Sequence, residues 1–201
     1  MPEMLTLQDV LVDELRDLYD AERQLMKALP TLADRASNDD LRTAIETHLE
    51  ETQNHVSRLE DAFKLVGEPP KAKHCAGIAG IIEEGAEALR QEAEEAVLDA
   101  VIIAAAQRAE HYEIAAYGTS IAWAEALELR DLAHLLRLNL NEEKAADNIL
   151  TSLAERGINS SAIDQSEGEE TIERRRESNL SAEHELSASA RSASASRPRK
   201  R

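Results

Sequence analysis

The chain has 201 residues and a formal net charge of −17, with 40 acidic against 23 basic residues, one cysteine, one Trp, three Tyr and one Phe. The lone Cys75 excludes an internal disulfide framework, no apolar run reaches the roughly 18 residues of a membrane span, and the N-terminus lacks a basic-then-apolar leader, so no membrane association and a cytoplasmic location are expected. Residues 1–156 hold 32 acidic against 15 basic residues, which disfavours nucleic acid as a partner there and leaves only the basic end "RPRKR" at 197–201 for a weak contact.

The Ala-, Leu- and Glu-rich composition, poor in β-branched and aromatic residues, predicts an all-α fold in a single domain. A first helix is expected over about Leu5 to Ala36, with the stripe Leu11, Leu15, Leu18, Glu22, Leu25, Leu29 and Leu32 in steps of three and four. Ser37 and Asn38 make a turn, and Asp39 or Asp40 is expected to cap the second helix. That helix runs to Val66, where Gly67, Pro69 and Pro70 stop it, and its stripe is read as Leu41, Ala44, His48, Glu51, His55, Leu59 and Ala62. A short helix around "AGIAGIIEEGAEAL" forms part of a long crossover. The next long helix covers about Ala93–Leu127 with the stripe Ile103, Ala106, Glu110, Glu113, Tyr117 and Ile121. The last covers about Asp131–Arg156 with Leu132, Leu136, Leu140, Glu143, Asp147 and Leu150, and Gly157 is expected to end it. The domain is therefore expected to span 1–157. Residues 158–201, ending in "SASARSASASRPRKR", have too little apolar surface to order themselves and are expected to form a mobile tail.

Carboxylates interrupt every long stripe at matching heights. Glu22 lies 15 residues before Ser37 and Glu51 lies 14 after it, each about 22 Å from the turn at 1.5 Å per residue. Glu113 and Glu143 lie 15 residues on either side of a break at Glu128, with Glu110 and Asp147 one turn further out. A single Glu near an apolar stripe can snorkel to solvent, but four stripes with carboxylates at one level and a histidine beside them create a repulsion that a cation resolves. The expected arrangement is a ferritin-like four-helix bundle, two up-down pairs joined by the crossover, holding two iron or manganese ions. Its candidate ligands are Glu22, Glu51, His55, Glu110, Glu113, Glu143 and Asp147, with Glu51 and Glu143 bridging and His48 an alternative to His55.

Five blocks, "YDAERQL", "HLEETQNHV", "IIEEGAE", "AAAQRAEHYEIAAYGT" and "LNEEKAADNIL", resemble in order the YciF-type family of ferritin-like stress proteins over about Leu5–Arg156. The resemblance implies a four-helix fold with a short extra helix, a homodimer, a dinuclear metal site and a role in the stress response. Dioxygen or peroxide would be the small-molecule substrate of such a site, in ferroxidase, peroxidase or catalase-like chemistry. The rival expectation is a non-catalytic stress scaffold in which the polar layer fixes helix register. His111, Tyr112, Tyr19, Tyr117, Cys75 and Trp123 are expected in supporting, core or packing roles.

Overall fold

The structure, a computed structural model, describes residues 5–163, and the expected tail beyond them lies outside the described residues. It is built from α1 (Leu7–Arg35), α2 (Asp39–Leu65), α3 (Ala76–Ala88), α4 (Glu95–Ala126) and α5 (Arg130–Leu153), with no strand among the described residues. None of these helices is long and apolar enough to cross a membrane.

Local chemistry sets the helix ends. Thr6 accepts the Asp9 amide at 3.1 Å while the Asp9 carboxylate accepts the Thr6 amide at 2.9 Å, a reciprocal cap that starts α1. At α2 the cap is Asn38, whose Oδ1 accepts the Leu41 amide at 3.0 Å, and not Asp39 or Asp40. The two aspartates are instead the first two residues of the helix, where their charge faces the positive end of its dipole. Gly67, with φ of 74°, takes the left-handed conformation that follows the end of α2, and Glu128, with φ of 59°, turns the chain between α4 and α5.

Gly157 does not end the last helix. The chain passes from α5 into a π-helical turn over Ala154–Ile158 and stays helical through Ile163, the last described residue. Left-handed φ would be needed for a glycine cap, and among the described glycines only Gly67 has it. Ile158, expected in the tail, is instead buried against the core that contains Leu150 and Ile102.

The short α1–α2 turn makes those helices antiparallel neighbours. Asp99, near the start of α4, reaches the same turn, accepting from the Ser37 amide at 2.8 Å, the Ser37 hydroxyl at 2.6 Å and the Asn38 amide at 3.0 Å. These bonds fix α4 antiparallel to α1, with α3 as the crossover that returns the chain to that end. Helix α1 packs on α2 and α4, and α5 packs on the same two, so the bundle runs α1, α2, α5, α4 in cross-section with every adjacent pair antiparallel.

Two apolar layers fill this frame. One, nearer the α1–α2 turn, includes Leu25, Leu29, Leu41, Ile45, Ile102 and Leu150. The other includes Leu11, Leu15, Leu18, Leu59, Phe63, Ile121, Leu132 and Leu136. Between them lies a layer of buried polar side chains: Glu22, His48, Thr52, His55, Glu110, Glu113, Asn139 and Glu143.

Candidate metal centre

All four long helices place ligand-type atoms in the central layer, where two groups converge to within 4.8 Å: His48, Glu110, Glu113 and Glu143, and Glu22, His55 and Glu143. Glu143 belongs to both groups and lies between them. Helical spacing accounts for the set, since Glu110 and Glu113 are one turn apart on α4 and His48 and His55 two turns apart on α2.

Each histidine is aimed by a carboxylate behind it. His55 Nε2 lies 2.8 Å from Glu142 Oε2, which leaves Nδ1 facing inward, 2.8 Å from Glu143 and 3.2 Å from Glu22. His48 Nδ1 lies 3.3 Å from Glu51 Oε2, and its Nε2 faces Glu110 at 3.4 Å and Glu143 at 3.6 Å. An outer carboxylate that takes one ring N–H fixes the tautomer and leaves the other nitrogen's lone pair for a metal. Arg58 clamps Glu142 through Nη1 at 2.5 Å and Nη2 at 2.9 Å, and also donates to Asn139 Oδ1 at 2.9 Å. Asn139 Nδ2 donates to the Tyr117 hydroxyl at 2.9 Å, and that hydroxyl donates a short hydrogen bond to Glu22 Oε1. A connected chain thus runs from half-buried Arg58 to buried Glu22.

The inner atoms are left without hydrogen bonds. Both oxygens of Glu113 and both of Glu143 have none, nor do Glu22 Oε2, Glu110 Oε2 and His55 Nδ1. The short His55–Glu143 approach is an ion-pair distance without hydrogen-bond alignment. Burial, then the charges of Glu143 and Glu22, push the Glu113 carboxyl well above the usual carboxylate range. Burial also raises Glu110, against the opposing pull of His48. For His55, burial alone would lower the pKa, but Glu22 and Glu143 outweigh it and push it up to about 11. On the outer side, Arg58 and His55 overcome burial and hold Glu142 below the usual range. Buried polar atoms stripped of partners, aimed at one another and drawn from oxygen and imidazole donors, fit a pair of divalent cations. Glu22, His48, His55, Glu110, Glu113 and Glu143 are the residues that could hold them.

Two expected ligands lie elsewhere. Glu51 is half-buried beside the layer and contacts His48 from behind. The buried face of α2 runs Leu41, Ile45, His48, Thr52, His55, Leu59, one residue out of step at Ile45 and Thr52 from the expected stripe, so Thr52 takes the inward place and returns its hydroxyl to His48 O at 2.8 Å. Asp147 sits one turn beyond Glu143, accepting from Gln107 Nε2 at 2.9 Å and lying 3.3 Å from exposed His111. Sequence reasoning passed over Arg58, Asn139 and Glu142, although Arg58 stands one turn from His55 and Glu142 beside Glu143. Tyr117 is a core residue as expected, but its hydroxyl also holds Glu22. Tyr112 turns its hydroxyl to other partners, donating to Asp17 at 2.8 Å and lying 3.1 Å from the Cys75 sulfur.

An antiparallel four-helix bundle with a long crossover and a carboxylate–histidine layer at mid-height defines a ferritin-like protein. The chain belongs to the family described as a domain of unknown function, DUF892, whose model matches residues 6–163, and with it to the YciF-like stress proteins. It is 42% identical over 160 residues to the YciF protein of Escherichia coli strain K12, an alignment covering 79% of this chain and 96% of that one. The crystal structure of the Escherichia coli stress protein YciF matches with a TM-score of 0.75 at 43% identity, covering 78% of this chain and 99% of that chain. The Rhodopseudomonas palustris protein YcfI, assigned there a provisional structural role, matches with a TM-score of 0.73 at 47% identity, covering 75% and 96%. A Xanthomonas campestris protein at 18% identity and a TM-score of 0.63, covering 81% and 99%, shares the fold.

Proposed function

We propose that the chain is a dinuclear iron or manganese protein acting in oxidative or general stress in the cytoplasm, as a homodimer. His48, Glu110, Glu113 and Glu143 would hold one ion, and Glu22, His55 and Glu143 the other. The observation that carries this reading is Glu113: fully buried, with neither oxygen hydrogen-bonded, it is an isolated cost to the fold unless a cation takes it. Bound iron or manganese supplies Lewis-acid and one-electron redox chemistry towards dioxygen or peroxide.

The chain's own residues prepare the place for it. Glu142 and Glu51 turn the imidazoles inward. Arg58 keeps Glu142 ionised, and Tyr117 keeps its proton under burial and the charge of Glu22, so its hydroxyl remains a donor to that carboxylate. The apolar layers above and below frame the polar layer between them. The Rhodopseudomonas palustris relative's description favours a second reading, a non-catalytic scaffold, and metal content separates the two. Chain purified from cells grown with iron or manganese should carry two ions by elemental analysis and consume peroxide or dioxygen. Metal-free protein that takes up neither ion would leave the scaffold reading.

A further inference from the structure

A cavity of about 350 Å3 opens between α1, α3 and α4 and ends at the central layer. Its size is that of an organic ligand site. The walls are aliphatic, with Leu32, Ile81 and Ile82 left partly exposed, and small residues give it room. Gly85 passes so close to α4 that a Cβ there would lie 3.2 Å from the Ala105 methyl group. Four lining residues are ionisable, and exposure sorts them: Arg35 and Arg90 are exposed, whereas His48 and Glu110 are buried. The guanidinium of Arg35 is tied across the seam between α1 and the end of α3 by donating to Leu89 O at 3.1 Å. At the inner end Glu110, 2% exposed, keeps Oε2 free of any hydrogen bond, 3.4 Å from His48 Nε2.

In a chain with a net charge of −17, the outer lining of this cavity is basic only. We propose that the cavity binds a medium-chain fatty carboxylate, its head at Arg35 and Arg90 and its chain running inward so that the far end approaches His48 and Glu110. Charge fixes the orientation, because the two arginines of the outer lining attract an anionic head and no charged side chain of the inner wall offers it a comparable pair of donors. Shape argues against a second copy of the chain as occupant: a packed helix would close the mouth but would leave the inner volume and Glu110 untouched. The inference goes beyond the metal reading and does not depend on it, since the walls and the arginines are complete without an ion.

The test is calorimetric titration of the full chain, metal-free and metal-loaded, with dodecanoate below its micellar concentration, beside octanoate and dodecyltrimethylammonium. One dodecanoate should bind per chain, octanoate more weakly, and the cationic analogue at least about tenfold more weakly. Arg90→Glu should weaken dodecanoate about tenfold, Arg35→Glu likewise, and Ala28→Leu, which projects carbons into the cavity, should abolish binding while leaving the melting temperature nearly unchanged. Glu113→Leu should still bind dodecanoate, so failure of the metal reading and failure of this one are read separately. Absence of saturable binding, equal affinity for the cationic analogue, or indifference to Ala28→Leu in a folded variant would each overturn the proposal. A change of oligomeric mass in Ala28→Leu or Arg90→Glu without dodecanoate binding would overturn it too, assigning the groove to contact between copies.

Discussion

Glu113→Leu should move stability in opposite directions with and without metal. In the metal-free fold the carboxyl is fully buried, its pKa raised well above the usual range by that burial and by the charges of Glu143 and Glu22, yet neither oxygen has a hydrogen-bond partner. An unsatisfied buried polar group costs about 1–3 kcal/mol. Leucine has a similar reach and no such cost, so the metal-free variant should gain about that much, a rise of roughly 2–4 °C in melting temperature for each kcal/mol in a domain of this size. With Fe(II) or Mn(II) the order reverses. The wild type should gain about 2.7 kcal/mol when free metal is 100-fold over its dissociation constant, and the variant, lacking one carboxylate of the His48 group, should lose most of that gain. Thermal melting in chelator and in excess Mn(II) measures both terms. A variant that melts lower without metal and keeps the full metal-induced rise would show that Glu113 packs the core and does not bind an ion.

Metal-free stability should fall as pH rises. Glu110, Glu113 and His55 all hold protons more tightly in the fold than in the unfolded chain, so unfolding releases protons. The decline should begin at the ordinary carboxylate value of 4.5, and the His55 share should be lost between 6.5 and about 11; urea midpoints that climb over this range in chelator would refute the pairing. Glu142→Gln, which weakens the hold on His55 Nε2 without touching an inner ligand, should lower metal affinity about 10- to 100-fold in a competition titration while leaving stoichiometry at two ions. Gly77→Ala should destabilise by about 1–3 kcal/mol in urea unfolding, because its Cβ would lie 2.5 Å from the Tyr112 ring; a neutral result would mean that α3 shifts freely on α4.

Much of this architecture was legible in the sequence because polar residues at core spacing are rare enough to be noticed. Glu22, Glu110, Glu113 and Glu143 each interrupt an otherwise apolar stripe, and counting from the turns at Ser37 and Glu128 put them at one height. Helix α2 was harder to read. Its two faces, through Ala44 and Glu51 or through Ile45 and Thr52, differ by one residue, and both pass through Leu41, His48, His55 and Leu59. Packing against α1 and α5 together decides between them, and no periodicity within α2 carries that information. Asp147 lies outside both ligand groups for a related reason: it follows Glu143 by one turn, but the layer is only about one turn deep on α5. The outer partners were hidden because Arg58 and Glu142 look like ordinary surface charge until two helices bring them together, 84 residues apart in the chain.

The π turn at Ala154–Ile158 makes one part of the chain forgiving of a change in length. A π turn holds about one residue more than an α turn, and here it returns Ile158 to the face that carries Leu150. Removing one residue between Ala154 and Gly157 would let the segment wind as plain α-helix, and the isoleucine would then follow Leu150 at the seven-residue spacing that already shares a face. The same deletion between Leu132 and Glu143 has no such slack. It would rotate Glu143 by about 100° relative to the α5 residues before it and carry its carboxylate out of both ligand groups. Gain or loss of a single residue is therefore absorbed at one end of this helix and disruptive a few turns earlier, so length variation within the fold has a natural place to accumulate.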